Sequence, residues 1–246
     1  MKTLLEQTIF QTAPWVMPEE PREIQDIFRS KGKPVRFSLG EMIPHGIEKA
    51  AVHLLTKGVV LFGYYDAGDR LQVFNILLPG RCVGEFDAAA CPDRPVAFPI
   101  NAACVRPVEA LSLDHCEYVS ALRSSTSLME TAMRSCIWKH HCTMEGMICN
   151  YTLPVEMRLR VLLYSLIEAY YRLSEGGWNP IPVPLSVTAF ATVVSSNRSW
   201  VSRLFSQWSS EGLLKKDGRM LLVHSSLFDP IRGNKNLREI ARTRAA

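Results

Sequence analysis

The stretch Ser186–Leu214, SVTAFATVVSSNRSWVSRLFSQWSSEGLL, contains two short apolar patterns separated by a serine pair at 195 and 196. Ser186 can cap a helix that runs to about Val193 or Val194, and Asn197 can cap a second helix, because short polar side chains accept hydrogen bonds from the free N–H groups of a first turn. The serine pair supplies the turn between them. The stretch therefore predicts two helices joined by a tight turn.

The second helix has an apolar face and a polar face. Its apolar residues recur at i, i+3, i+4 and i+7, which is the spacing of one buried face: Val201, Leu204, Phe205 and Trp208. The opposite face carries small hydroxyls and two arginines: Arg198, Ser199, Ser202, Arg203 and Ser206. Arginine forks match guanine O6 and N7, whereas serines and a helix N-terminus suit phosphates. This face is predicted to enter a major groove.

Residues 211–228, EGLLKKDGRMLLVHSSLF, follow directly and predict a strand, a basic turn and a second strand. The order of a two-helix unit and a basic hairpin is typical of a winged helix-turn-helix, whose hairpin tip lies near backbone phosphates. The candidate contacts to double-stranded DNA are Ser196, Asn197, Arg198, Ser199, Trp200, Ser202, Arg203, Lys215, Lys216 and Arg219.

Charge along the chain supports a polyanion as partner. The net charge is only +4, but the residues from 181 to 246 contain ten Lys or Arg and four Asp or Glu, a net of +6. The positive potential therefore belongs to the C-terminal part. The alternative is a solvated basic surface without a partner.

Length and composition restrict the class of protein. The chain has 246 residues, 47% of them apolar, so it can form two domains with buried cores. Glu6 and Gln7 interrupt the first ten residues where a secretory segment is apolar, and no apolar run reaches about 18 residues. We expect a cytoplasmic protein with no membrane contact. Seven cysteines without a Cys-x-x-Cys pair argue against a zinc ribbon or a thioredoxin motif.

The N-terminal part predicts a β domain followed by a long helix. Between Pro34 and Leu113, short β-favouring runs alternate with turns, including DAGDR at 66–70, which indicates an antiparallel sandwich or jelly roll. A long helix is predicted from Leu128 to Tyr151, with apolar residues at helical spacing: Met133, Ile137, Met144, Ile148 and Tyr151. This stripe suggests a homodimer seam, with an ordinary packing helix as the alternative.

The predicted fold class is α+β, in three parts. Residues 1–126 form an effector-sensing β-roll, 127–151 the long dimerisation helix, and 152–246 the winged helix-turn-helix domain. Pro154 marks the break after the long helix, since the residue before a proline is pushed out of the helical region. A helix from Val155 to about Arg172 and a connector, GGWNPIPVP at 176–184, follow it.

This order and several local strings resemble the Crp/Fnr family of bacterial transcription regulators across nearly the whole chain. The strings are HLLTKGVV at 53–60, LPGRCVGE at 78–85, NRSWVSR at 197–203 and EGLL at 211–214. The resemblance implies a cyclic-nucleotide-binding-like sensor domain, a homodimer that binds a palindromic operator, and a small-molecule effector. RNA polymerase is a further candidate partner.

Departures from the family pattern concern the effector. Cyclic-AMP sensors carry Arg-Ser where this chain has Ile100-Asn101, and an isoleucine cannot neutralise a phosphate, so we expect a different effector. The first cysteine is Cys82, which argues against an iron-sulfur cluster held by N-terminal cysteines. Haem stays open as a cofactor, with Cys91, His140, His141 and Met144 as available ligand types. Thiol switching at Cys136, Cys142 or Cys149 is also open.

A small apolar or aromatic effector is the remaining alternative, as in the branch of the family that senses chlorinated phenols. The candidate effector site comprises Gly84, Glu85, Phe86, Phe98, Ile100, Asn101, Trp138 and His141. In the DNA-reading helix, Ser199 replaces a family glutamate that accepts from cytosine N4, and Trp200 replaces a threonine-like residue. Trp200 is expected along the DNA backbone or against a thymine methyl.

Two rival functions fit the sequence less well. A metal-dependent jelly-roll enzyme would need close histidines with a carboxylate, but His45 and His53 are eight residues apart and no His-x-His pair exists. The second rival is a cyclic-nucleotide regulator that lacks the usual arginine. No catalytic residue or metal site is predicted, and the expected function is not enzymatic.

Overall fold

The computed structural model of the chain describes residues 10–45, 51–85, 100–218 and 220–231. One unit is Met17–His140, and the other combines the described residues of Met1–Val16 and His141–Ala246. Both mix helices with antiparallel sheets, which confirms the predicted α+β class at this level. Within the described ranges, no helix has both the length and the hydropathy that a membrane span requires.

The unit Met17–His140 holds two antiparallel sheets. After helix α1 (Arg22–Lys31), its strands are β1 (Lys33–Phe37), β2 (Ala51–Lys57), β3 (Val60–Tyr65), β4 (Leu71–Leu77), β5 (Cys82–Val83), β6 (Asn101–Cys104) and β7 (Val108–Asp114). Their order is β1-β7-β2-β5 in one sheet and β4-β3-β6 in the other. The β-favouring runs of the sequence are therefore strands, as predicted.

The predicted hairpin at DAGDR joins β3 to β4. Asp66 accepts backbone hydrogen bonds from Gly68 and Arg70 on one carboxylate oxygen, at 2.8 and 3.1 Å. These bonds lower the pKa of Asp66 to about 2, the bond from Arg70 being the largest cause. Asp69 takes a left-handed φ of 59°, which Asp tolerates better than most residues.

Alternation along β2 distributes side chains between two cores. Leu55 packs with apolar side chains from both sheets, so the two sheets share this core. Val52 and Leu54 join a second cluster with Ile24 and Phe28 of α1. Neighbouring strand residues point to opposite faces, and the helices cover the face that the second sheet does not.

Two helices follow β7. Helix α2 (His115–Arg123) is capped by the carboxylate of Asp114, which accepts from the N–H of Cys116 at 2.8 Å. Helix α3 (Thr126–Thr152) has 27 residues and contains the predicted long helix. Large apolar side chains along α3 are 42–78% exposed: Met133, Ile137, Trp138, Met144, Ile148 and Tyr151. In a single chain this surface of α3 is therefore uncovered.

The second unit continues with short elements. They are helix α4 (Val155–Glu168), strand β8 (Trp178–Pro180), helices α5 (Val187–Val193) and α6 (Arg198–Ser210), strands β9 (Leu214–Asp217) and β10 (Met220–His224), and a 3-10 helix, Ser225–Ile231. The strands form one antiparallel sheet of order β8-β10-β9. The predicted connector at 176–184 thus contains a strand, which the sequence pattern did not indicate because it is short and ends in proline.

A buried charge cluster within Met17–His140 joins α3 to the residue segments that precede α1 and follow β5. Lys139 is 2% exposed, and its ammonium pairs with Glu20 and, at 3.1 Å, with Glu85. The other oxygen of Glu20 accepts from the Ser135 hydroxyl at 3.0 Å. Burial opposes the charge on Lys139, but the two carboxylates outweigh it and raise its pKa well above the usual value. Burial likewise raises the pKa of Glu85, against the opposing effect of Lys139.

We expect Lys139→Met to lower the free energy of unfolding by about 3–5 kcal/mol, because it leaves two buried carboxylates without a counter-charge. Urea unfolding of the full chain measures the loss. The matched control is Arg134→Met on the same helix, whose exposed pair with Glu130 is worth at most about 1 kcal/mol. Adding Glu20→Gln and Glu85→Gln to Lys139→Met is expected to recover part of the loss. Equal effects of the two single variants would contradict the account.

Candidate nucleic-acid interface and sensor site

The turn between α5 and α6 is built by side-chain caps. The Ser186 hydroxyl accepts from the N–H of Ala189 at 3.1 Å, and the Asn197 side chain accepts from the N–H of Trp200 at 2.8 Å. Between the helices, Ser195 takes a left-handed φ of 49°, which reverses the chain. Both predicted caps are present, and α6 begins at the residue after Asn197.

Polar side chains from outside the two helices fix the end of α5. The Arg158 guanidinium donates to the carbonyl of Leu153 at 2.7 Å and to that of Val194 at 3.0 Å. Asn150 donates to the carbonyl of Val193 at 3.2 Å. These bonds satisfy carbonyls that a helix end leaves without partners. Sequence reasoning missed this role of Arg158, because an arginine on an amphipathic helix gives no local signal of its partner.

Helix α6 buries one face and exposes the other. Val201 and Trp208 are fully buried, Leu204 is nearly so, and Phe205 packs against Phe190 of α5 at a ring distance of 5.4 Å. The predicted DNA-contacting residues of α6 are exposed: Arg198, Ser199, Trp200, Ser202 and Arg203. Asn197 is also exposed and Ser196 is half-buried. The division of the helix into two faces follows the sequence periodicity.

The basic hairpin lies immediately after α6. Lys215 and Lys216 are exposed on β9, and Gly218 takes a left-handed φ of 58° in the turn to β10. Arg219, also predicted to contact DNA, lies outside the described residues. The Lys215 ammonium stands 4.0 Å from the centre of the Trp178 ring, a cation–π contact that orients a flexible side chain.

The exposed cations of this surface have no carboxylate partner in the described part of the chain. Within residues 100–218 and 220–231, Arg198, Arg203, Lys215 and Lys216 form no ion pair with a carboxylate. The Arg203 guanidinium lies 4.8 Å from the centre of the Trp200 ring. A surface of unpaired cations beside a capped helix N-terminus attracts polyanions.

The candidate effector residues fall into two groups. Gly84 has a φ of +91°, and a Cβ there would lie 2.7 Å from the Ala51 carbonyl oxygen, so this turn requires glycine. Glu85 is buried against Lys139. Ile100 and Asn101 are half-buried at the start of β6, where Asn101 pairs with Gly63 in register. Phe86 and Phe98 lie outside the described residues.

The two candidate effector residues on α3 are exposed. Trp138 is 51% exposed although its neighbour Lys139 is buried, since adjacent helical residues point about 100° apart. His141 is exposed as well, and it belongs to the second unit. The effector site therefore stays a prediction.

The candidate ligands for haem and the candidate redox cysteines differ in burial. His140, His141 and Met144 are exposed, and Cys91 is outside the described residues. Cys142 and Cys149 are fully buried. Burial raises the pKa of Cys149 well above its usual value. A buried thiol with a raised pKa is a poor nucleophile, and it is not placed to form a bridge to a second chain.

The histidines of the rival metal enzyme have other contacts. His53 Nε2 lies 3.0 Å from the Pro44 carbonyl oxygen, and burial lowers the pKa of this histidine. The His45 ring packs 5.7 Å from the Phe62 ring. Among the described residues, no group of three His, Cys, Asp or Glu side chains converges as metal ligands.

No protein-family model matches the chain, and no curated protein matches it. Solved structures do. FixK2 from Bradyrhizobium japonicum aligns with a TM-score of 0.67 at 16% identity, over 80% of this chain and 96% of that one. A CRP-family transcriptional regulator from Thermus thermophilus aligns with a TM-score of 0.61 at 19% identity, over 80% and 96%. CprK complexed with OCPA aligns with a TM-score of 0.59 at 14% identity, over 89% and 99%.

Identities of 14 to 19% establish likeness of fold rather than of activity. The alignments cover 96 to 99% of these known chains, so the likeness of fold is not confined to a small part of them. The resemblance inferred from the sequence motifs is thus confirmed at the level of the fold: this chain has the fold of the Crp/Fnr transcription regulators.

Proposed function

We propose that the chain is a transcription regulator that binds double-stranded DNA through a winged helix-turn-helix formed by α5, α6 and the β9–β10 hairpin. The observation that carries the proposal is the orientation of α6. Val201, Leu204 and Trp208 form its buried apolar face, so Arg198 and Arg203 point to solvent. Neither arginine has a carboxylate partner among the described residues. A helix held in this way can enter a major groove.

The proposal assigns a different part of the DNA to each cation. Arg203 reads a guanine through a bidentate contact, and Arg198 contacts a base or a phosphate. Ser199 is too short to accept from cytosine N4, so preference at that base pair is relaxed or altered. Lys215 and Lys216 lie on the hairpin, where they would contact backbone phosphates and contribute affinity without sequence preference.

We propose that the active species is a homodimer joined along α3. Met133, Ile137, Met144, Ile148 and Tyr151 follow spacings of three, four and seven residues along this helix and are exposed in the single chain. Such a stripe is covered when a second copy packs against it. Two α6 helices related by a two-fold axis would then match operator half-sites about 34 Å apart.

The sensor domain in this proposal is the jelly-roll part, within residues 1–126. An effector other than cyclic AMP is supported by Ile100 and Asn101 at the start of β6 and by the internal pairing of Glu85 with Lys139. A small apolar or aromatic molecule is the first candidate, since CprK, a protein of this fold, has been solved with OCPA bound. Haem or a redox signal is the second. A cytoplasmic location and contact with RNA polymerase complete the proposal.

The proposal is tested by selecting duplexes from a randomised DNA pool with the full-length chain. We expect the recovered sequences to share an inverted repeat whose half-sites lie about one helical turn apart. A pool that stays unenriched, with equal affinity for every duplex, would refute sequence-specific binding.

Arg203→Ala is expected to weaken binding to the selected operator by about 1–3 kcal/mol and to flatten the preference at one base pair of each half-site. The loss of a bidentate fork removes discrimination at the base it contacts. Binding titrations on the operator and on single-substituted duplexes measure both effects. Equal losses on operator and random DNA would contradict the base-reading role.

Lys216→Ala is expected to weaken binding to operator and random DNA alike. The slope of log affinity against log salt should fall by about one, because one phosphate contact and its released counterion are lost. Fluorescence titrations at several salt concentrations give the slope. A loss confined to the operator would show that Lys216 contacts a base instead.

Ile148→Glu is expected to convert the dimer to a monomer, because it places two carboxylates in the apolar seam of α3. Sedimentation equilibrium measures the mass, and operator affinity should fall with it. Arg134→Glu is the control, and it is expected to leave the mass unchanged because this exposed arginine is not part of the apolar stripe. A wild-type chain that sediments as a monomer would remove the dimer from the proposal.

A further inference from the structure

An aromatic ring lies under the guanidinium that the proposed function assigns to base reading. We propose that Trp200 is a positioning residue for Arg203: its indole ring holds the guanidinium by its face and leaves the edge N–H donors directed to a base edge. The inference rests on the proposed function, in which α6 enters a major groove, and it names the residue that sets the specificity of that contact.

The geometry follows from positions along α6. Trp200 and Arg203 are three residues apart and therefore adjacent on the helix surface. Helical side chains lean toward the N-terminus, so the long Arg203 side chain runs back over the ring, and its guanidinium carbon lies 4.8 Å from the ring centre. This brings the charge to the first turn of α6, the part of a recognition helix that reaches base edges.

A second tryptophan in the same unit shows what such a stack allows. The Arg160 guanidinium lies 5.0 Å from the centre of the Trp208 ring. At the same time, its edge donates to the Leu227 carbonyl and, at 2.6 Å, to the carboxylate of Glu156. An arginine that lies over a tryptophan ring can thus still donate to two acceptors through its terminal nitrogens, because the five N–H donors lie in the guanidinium plane.

Arg203 has the same stack and an unoccupied edge. Among the described residues its guanidinium has neither a carboxylate nor a carbonyl acceptor. The exposed neighbours Ser199 and Ser202 are short and carry no charge that could draw it away. Guanine O6 and N7 are a pair of acceptors in one plane, which is the arrangement that a free guanidinium edge matches.

The expected consequence concerns discrimination more than affinity. A flexible arginine loses rotamer freedom when it binds a base, whereas a stacked arginine has already lost part of it. Trp200 would therefore strengthen the contact to the correct base through Arg203. The contact between Lys215 and the Trp178 ring is the matched control for the contact between Arg203 and the Trp200 ring. In the proposed function Lys215 contacts phosphates, so losing the Trp178 ring should not change the preference for any base.

The test is a double-mutant cycle with the full chain. The probes are the operator recovered from the randomised pool and the same duplex with the base pair read by Arg203 exchanged. We expect Trp200→Leu to lower the ratio of the two affinities by about two- to fivefold, in keeping with an exposed cation–π contact. Trp200→Phe should keep most of the ratio. In an Arg203→Ala background, Trp200→Leu should change the ratio no further.

Other outcomes of the cycle overturn the inference. If Trp200→Leu lowers the ratio equally with and without Arg203, the ring contacts DNA itself. If it weakens both duplexes alike, the ring contributes only to general affinity, which is the result expected for Trp178→Leu.

A measurement without DNA separates this inference from the proposed function. In the ¹⁵N-labelled full chain, the Arg203 Nε–H resonance should be shifted upfield by the Trp200 ring current, with Arg203→Ala providing the assignment. Trp200→Leu should remove the shift, and Trp200→Phe should retain most of it. A resonance unaffected by Trp200→Leu refutes the stack. If the NMR shift shows the Trp200–Arg203 contact but the chain binds every duplex equally, the proposed sequence-specific DNA binding is refuted. The role of Trp200 in specificity is then refuted as well.

Discussion

Burial of Val201, Leu204 and Trp208 is the constraint on which the proposed DNA surface depends. These side chains fix the rotation of α6, and the Asn197 cap fixes where the helix begins. Arg158 holds the preceding turn by donating to backbone carbonyls at the end of α5. The exposed arginines point to solvent as a consequence, because they lie on the face of α6 opposite the buried apolar side chains.

Stacking of cations on tryptophan rings recurs in this unit. Arg160 lies on Trp208 in the interior, Arg203 on Trp200 at the surface, and Lys215 on Trp178 beside the hairpin. In the interior pair, both terminal nitrogens of the Arg160 guanidinium also have protein acceptors. Each of the two surface pairs restrains a charged head group whose N–H donors have no hydrogen-bond acceptor among the described residues. Restrained but unpaired cations suit a partner that brings its own negative charge.

In the sheet unit, the charge cluster of Lys139 plays the corresponding organising role. It joins α3 to Glu20 near α1 and to Glu85 after β5, next to the glycine turn at Gly84. A carboxylate that the family resemblance assigns to effector binding is here engaged by a lysine of the same chain. Glu85 therefore shares a single buried ammonium with Glu20, and this pairing is made entirely within the protein.

Features that depend on neighbouring residues along the chain could be predicted from the amino-acid pattern. Periodicity located the long helix, the strands and the two faces of α6, and the N-cap rule located the starts of α5 and α6, because backbone hydrogen bonds and shared faces are set within a few residues. Contacts between distant positions are set by the folding of the whole chain. Lys139 contacts Glu20, 119 residues away, and Arg158 contacts the end of α5, 36 residues away. Strand β8 likewise forms by pairing with β10. Even the stack of Trp200 and Arg203, neighbours in sequence, depends on side-chain rotamers. Such pairings follow from how the elements pack, and no local pattern of residue types contains that information.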